Sequence, residues 1–129
     1  RGLPLDEAPK EFSRYDFGAM AYLFDRGASL EGQNRTRLST KLFTYLEAGL
    51  PIIVSEEFQY AAKLVKEHEI GIVVSQKDLD NLPDVINRYD IGKLRTNVKK
   101  AQKELCMDKH IGRLITFYEQ VHRLALSRR

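Results

Sequence analysis

One cysteine, Cys106, stands alone in 129 residues. An internal disulfide and any multi-cysteine metal cluster are thereby excluded. A reducing intracellular compartment is the default for such a chain, and Cys106 reads as a small buried hydrophobe. No apolar run approaches the roughly 20 residues that cross a bilayer. No apolar signal segment follows the opening Arg1-Gly2-Leu3-Pro4. An initiator Met is missing too, which points to a piece of a longer protein. The chain lacks both glycine-rich phosphate loops, Gly-x-x-x-x-Gly-Lys-Ser/Thr and Gly-x-Gly-x-x-Gly, and the Gly-x-Ser-x-Gly nucleophile elbow. Repeats and low-complexity stretches are absent as well.

What is present suits one soluble globular domain. Hydrophobic residues make up 43% and charged residues 30%, too apolar for a disordered chain. The net charge of +3 is unevenly spread. Residues 92–129 hold ten Lys or Arg against three acids, a local +7, so residues 1–91 sum to −4. Such asymmetry marks either solvated helix faces or a surface for phosphate, nucleic acid or anionic lipid.

Strand and helix patterns alternate. Residues 1–14 form a lead-in with one helical turn near Glu7–Phe12. Residues 16–23 are a short apolar run without alternation, as in a strand buried on both faces. Residues 24–35 are a long polar loop. Leu38, Leu42, Tyr45 and Leu46 then mark one helix face, with Thr36 or Ser39 as its cap. Gly49 ends that helix and Pro51 forbids its continuation. Ile52-Ile53-Val54 and Gly71-Ile72-Val73-Val74 read as buried parallel strands. Between them Phe58, Ala61, Ala62, Leu64 and Val65 form a second helical stripe. Asp78 caps a further helix to about Tyr89, short or irregular because of Pro83. Two long amphipathic helices follow, parted near Met107-Asp108. The order β-α-β-α-β-α-α predicts an open, doubly wound α/β layer fold. Three strands make a narrow sheet whose unpaired edge invites a partner, which leaves a dimer open.

In such sheets ligands sit beyond the carboxyl ends of the strands. A helix starting near residues 37–41 aims its free N–H groups and positive dipole end there. Arg35, Arg37 and Lys41 add charge, and Ser39 and Thr40 add hydroxyl donors. Residues 35–41 are thus a candidate phosphate seat. A capped helix with surface basic residues explains the same pattern without a ligand. Loops of this length in compact domains are usually functional or disordered. His68, His110 and His122 show no metal-ligand spacing. Glu56-Glu57 and Glu67-His68-Glu69 read as solvated charge. Aromatic residues do not interleave the basic ones, so no nucleic-acid partner is expected.

The stretch Lys41-Leu42-Phe43-Thr44-Tyr45-Leu46-Glu47-Ala48-Gly49-Leu50-Pro51-Ile52-Ile53-Val54-Ser55 resembles the Lys-Leu-Phe-Glu-Tyr-Leu-Ala-Ala-Gly-Leu-Pro-Val-Val signature of group 1 glycosyltransferases with the GT-B fold. Tyr15-Asp16-Phe17-Gly18 and Ile70-Gly71-Ile72-Val73-Val74 are similar to two strands of that family. Residues 77–118 resemble its helical tail, and Gly2-Leu3-Pro4 the end of its preceding strand-loop. The resemblance implies a three-layer Rossmann-like open parallel sheet with two long C-terminal helices. Residues 1–14 would be the lead-in, 15–89 the β-α-β-α-β-α core and 90–129 the helical tail. Together they would form the later half of a C-terminal domain that binds a nucleotide-diphosphate-sugar donor.

The donor is substrate, so neither cofactor nor metal is implied. Arg37, Ser39, Thr40, Lys41, Thr44 and Glu47 are the implied donor-binding residues; no catalytic residue can be named. Many members carry glutamates at the positions of Thr36 and Thr44, the second gripping the ribose. Glu47, three residues along the helix from Thr44, is the substitute carboxylate. The resemblance further implies an N-terminal acceptor domain elsewhere in the same protein, to which the last helix crosses, so the piece alone would be inactive. A cytoplasmic enzyme of carbohydrate metabolism follows. The alternative is a degenerate, non-catalytic module whose basic helices contact a partner or an anionic membrane.

Overall fold

The computed structural model describes residue 4, residues 6–21, residue 36 and residues 38–127. The β-branched run Ile52-Ile53-Val54 becomes the central strand β2 (Ile52–Ser55). It pairs in parallel with β1 (Gly18–Met20) and with β3 (Gly71–Val74). The sheet order is β1-β2-β3. Gly18, Ile52 and Gly71 stand level, so the three strands start at one edge. The first strand is shorter than the apolar run suggested. Tyr22, Leu23 and the expected loop over 24–35 lie outside the described residues.

The lead-in forms α1 (Ala8–Phe12) as expected. The crossover from β1 to β2 is α2 (Thr40–Glu47), capped by Ser39 rather than Thr36. Gly49 adopts φ +76°. With it, the N–H of Gly49 donates to Leu46 O and that of Leu50 to Tyr45 O, both at 2.9 Å. This double closure is the Schellman turn that glycine makes without strain. The next crossover, α3 (Gln59–Glu67), ends in the same turn, with Glu69 N to Lys66 O at 3.2 Å and Ile70 N to Val65 O at 3.1 Å. Here Glu69 takes the left-handed position, at φ +49°. A side chain there costs about 1 kcal/mol against glycine. Its exposed pairing with Lys93, at 3.6 Å, is worth less than that. Glu69→Gly is therefore expected to raise the unfolding free energy by up to about 1 kcal/mol, and the denaturation midpoint with it. A chemical denaturation series checks it.

Both crossovers cover one sheet face. Leu42 and Leu46 of α2 and Ala61, Ala62 and Val65 of α3 pack on Met20, Ile52 and Val54. Strands laid down in order with crossovers of one hand require this. On the other face Ile53, Ile72 and Val74 pack against Val85, with Leu79, Leu82 and Ile86 around them. The molecule is a three-layer, Rossmann-like α/β half-domain. The helix expected from Asp78 to Tyr89 is divided into α4 (Gln76–Leu79) and α5 (Leu82–Ile86). Pro83 is the second residue of α5, in the first turn, where its missing N–H costs nothing. Ser75, not Asp78, is the capping position, and Asp78 is the third helical residue.

The first long helix, α6 (Ile91–Leu105), wraps the edge where the strands begin. Arg95 pairs with Asp16 at 2.8 Å, ahead of β1, and Asn97 Nδ2 donates to Glu69 O at 3.0 Å, ahead of β3. Gln102 Nε2 donates to Leu46 O at 2.6 Å, at the end of α2. Leu94 joins the core of one face, and Val98 and Ala101 join that of the other. Cys106 breaks the helix with ψ 146°, so the parting falls just before Met107. The thiol is half-buried rather than buried, and donates to Lys103 O at 3.3 Å. The second long helix, α7 (Met107–Ser127), buries none of its residues. Its expected apolar stripe, including Ile111, Leu114, Ile115, Tyr118 and Val121, is exposed. Among the described residues no helix is long and apolar enough to cross a membrane.

Candidate functional site

The direction of α2 decides where its start lies. Near its far end, Tyr45 occupies the space that a Cβ on Gly18 would fill, at the first residue of β1. Gly18 N donates to Pro51 O at 2.9 Å, just past the helix. The end of α2 therefore sits at the strand starts, and Thr40 sits at the carboxyl edge. Two turns share that edge: Ser55–Phe58 after β2 and Ser75–Asp78 after β3. Helix α6 binds the opposite edge.

Three named residues, Ser39, Thr40 and Lys41, lie at the start of α2, and a fourth, Thr44, lies one turn further. Ser39 Oγ accepts the N–H of Lys41 at 3.3 Å, and Thr40 and Lys41 are exposed. The hydroxyl of half-buried Thr44 donates to Thr40 O at 3.1 Å. Its proton is thus spent on the backbone, and its lone pairs stay available. Glu47 is exposed in the last turn, about 10 Å along the axis from Thr40 at 1.5 Å per residue. Thr36 is exposed, and Arg35 and Arg37 lie outside the described residues.

The carboxylates of this edge differ in their partners. Asp78 Oδ2 accepts the Ser75 hydroxyl at 2.6 Å and the Ser75 N–H at 2.7 Å. Those two bonds favour its ionised form and hold its pKa below the usual carboxylate range. Glu56 is exposed. Glu57 departs from the expectation of solvated charge: its Oε2 is buried, and no donor among the described residues reaches it. Its position directly after a buried strand was the only signal in the sequence.

A cavity of about 410 Å³ opens elsewhere, between α3, the outer side of β3 and the start of α6. It is lined in part by Lys66, Gly71, Arg88, Tyr89 and Asn97, and none of the named site residues borders it. Among the described residues, no three His, Cys, Asp or Glu side chains lie close enough to hold a metal ion. Two of the five basic residues between 92 and 105, Lys93 and Arg95, are engaged in ion pairs with Glu69 and Asp16.

Residues 3–116 match the family model described as glucosyltransferase 3-like, C-terminal domain. The chain belongs to that family. No curated protein and no solved structure matches it. The match takes in every strand and every element that frames the carboxyl edge of this glucosyltransferase-like domain, and it ends within α7. The likeness to glycosyltransferases noted on the Lys41–Ser55 block thus holds at family level, and glycosyl transfer is the activity class of the family.

Proposed function

We propose that this domain holds the nucleotide-diphosphate-sugar donor of a GT-B glycosyltransferase, with glucose the sugar that the family description favours. The observation that carries the reading is the start of α2, capped by Ser39 and aimed at the carboxyl edge of a parallel sheet. Free N–H groups and the positive helix end favour a diphosphate there. Arg37 and Lys41 add cationic charge, and Ser39 and Thr40 add hydroxyls. Thr44 extends the set by one turn along the helix, whereas Glu47, named from the sequence as the substitute carboxylate, sits at the end of α2 over the strand starts and is left out of it. In the transfer, the bond from the sugar's anomeric carbon to the phosphate oxygen breaks. The acceptor oxygen bonds to that carbon and gives up its proton. The departing nucleoside diphosphate gains negative charge, which the helix start and the two cations stabilise. An N-terminal domain of the same protein supplies the acceptor, and the piece alone does not turn over.

Calorimetric titration of the full-length protein tests this. UDP, GDP, UDP-glucose and GDP-glucose form the panel. At least one is expected to bind, and Lys41→Glu is expected to weaken it by about tenfold or more, equal to about 1.4 kcal/mol. No binding by any of the four overturns the proposal.

A further inference from the structure

We infer that the outer edge of β3 takes an extended, acidic peptide segment of a partner protein as a fourth strand of the sheet. The pairing with β2 fixes which backbone groups of β3 are spare. Ile52 N donates to Ile70 O at 3.0 Å, and Glu56 N donates to Val74 O at 2.9 Å. In a parallel ladder, alternate residues of a strand face the same neighbour. Ile70, Ile72 and Val74 therefore bond to β2, and Gly71 and Val73 turn their N–H and C=O groups outward. Both line the cavity of about 410 Å³ beside the strand, and both are half-buried. Natural edges are usually blunted by proline, by charge on the strand or by brevity. Gly71-Ile72-Val73-Val74 has neither proline nor charge, and it is as long as the central strand.

The walls of the cavity add positive charge. Lys66 comes from α3, and Arg88 and Lys93 come from the start of α6. Two acids share the lining, and both are engaged: Glu69 pairs with Lys93 at 3.6 Å, and Asp90 accepts the N–H of Lys93 at 3.0 Å. Lys66 and Arg88 are in no ion pair among the described residues. The charge of Arg88 is felt by Asp78, but the bonds of Asp78 go to Ser75. An extended segment with carboxylate side chains meets both demands. Its backbone pairs with Gly71 and Val73, and its acids face Lys66 and Arg88. A second copy of this chain does not. Joined edge to edge about a twofold axis, two copies bring the same cations to the same groove, and like charges oppose the contact.

The test uses the full-length protein and a capped synthetic hexapeptide of alternating valine and glutamate. One control has lysine for glutamate, and the other keeps glutamate but has every backbone nitrogen methylated. By calorimetry, the glutamate peptide is expected to bind about tenfold or more tighter than either control. In hydrogen exchange it should slow the N–H groups of Gly71 and Val73 by a similar factor. Those of Ile72 and Val74, which already donate to β2, should change little. Val73→Pro deletes one outward donor where an edge strand tolerates proline, and Lys66→Glu reverses one exposed charge. Each is expected to weaken the peptide about tenfold. Should Val73→Pro fail to fold, Lys66→Glu and the exchange pattern decide. No binding of the glutamate peptide up to about 1 mM overturns the inference. Equal binding of the methylated peptide leaves charge attraction alone and overturns it too. Protection of Gly71 and Val73 that rises with protein concentration, without peptide, assigns the edge to a second copy and also overturns it. None of these outcomes bears on the donor site at the carboxyl edge.

Discussion

Replacing Val54 with aspartate is expected to abolish the cooperative fold. Val54 is 0% exposed in the central strand, level with Met20 on one side and Val73 on the other. The substitution first removes a buried apolar side chain, worth about 1.5–3 kcal/mol. It then places a carboxylate among Leu42, Phe58, Ala61 and Val65, apolar side chains of the same core cluster. None of these can donate a hydrogen bond. The unpaired charge costs several kcal/mol more, whether it stays ionised or takes up a proton. A domain of this size has a total stability of about 5–15 kcal/mol. The combined loss consumes most or all of it. Val54→Ala, which leaves a cavity but no charge, is expected to cost about 2–3 kcal/mol and to keep the fold. Circular dichroism and a urea series on both variants measure the difference. A two-state transition for Val54→Asp within about 1 kcal/mol of the wild type would contradict the placement of β2 at the centre of the sheet.

That strand was also the most legible part of the sequence. Three β-branched residues in a row, shut off by Gly49 and Pro51, have few other solutions. The helix before it was equally plain, because its apolar spacing and its left-handed glycine are both local signals. Asp78 shows where local reasoning fails. An acid before an apolar stripe suits a capping position, and also the third position of a helix begun by Ser75. Only the two bonds from Ser75 decide between them. In α6, the spacing of Leu94, Val98 and Ala101 announced one stripe. The structure divides that stripe between two cores because the helix turns around an edge, which periodicity cannot express. The stripe of α7 was read correctly as amphipathic, yet nothing among the described residues covers it. Periodicity reports that a face is apolar, not what meets it. Glu57 was missed for a related reason. Charge in a turn next to a second charge is normally solvated, and the burial of a single oxygen arises from tertiary packing.

Gly18→Ala tests the geometry on which the orientation of α2 depends. A Cβ at this position would lie 2.2 and 2.4 Å from two ring carbons of Tyr45 and 2.7 Å from its Cβ. Tyr45 cannot easily withdraw. Its ring centroid lies 5.7 Å from that of Phe12, and its hydroxyl donates to Ala19 O at 3.4 Å. The glycine is thus needed for close approach between strand and helix, not for an unusual backbone angle. Overpacking of this kind costs about 1–3 kcal/mol, and the backbone-held contact puts this site at the upper end. Tyr45→Ala removes the two ring carbons but keeps the Cβ, so it should relieve part of the strain and not all. In a double-mutant cycle, Gly18→Ala is expected to cost less in the Tyr45→Ala background by about 1 kcal/mol or more. Denaturant midpoints of the four proteins give that coupling. Additive losses would mean that helix and strand do not meet there. The far end of α2 would then not be fixed at the strand starts, and its N-terminal half would lose its claim to the carboxyl edge.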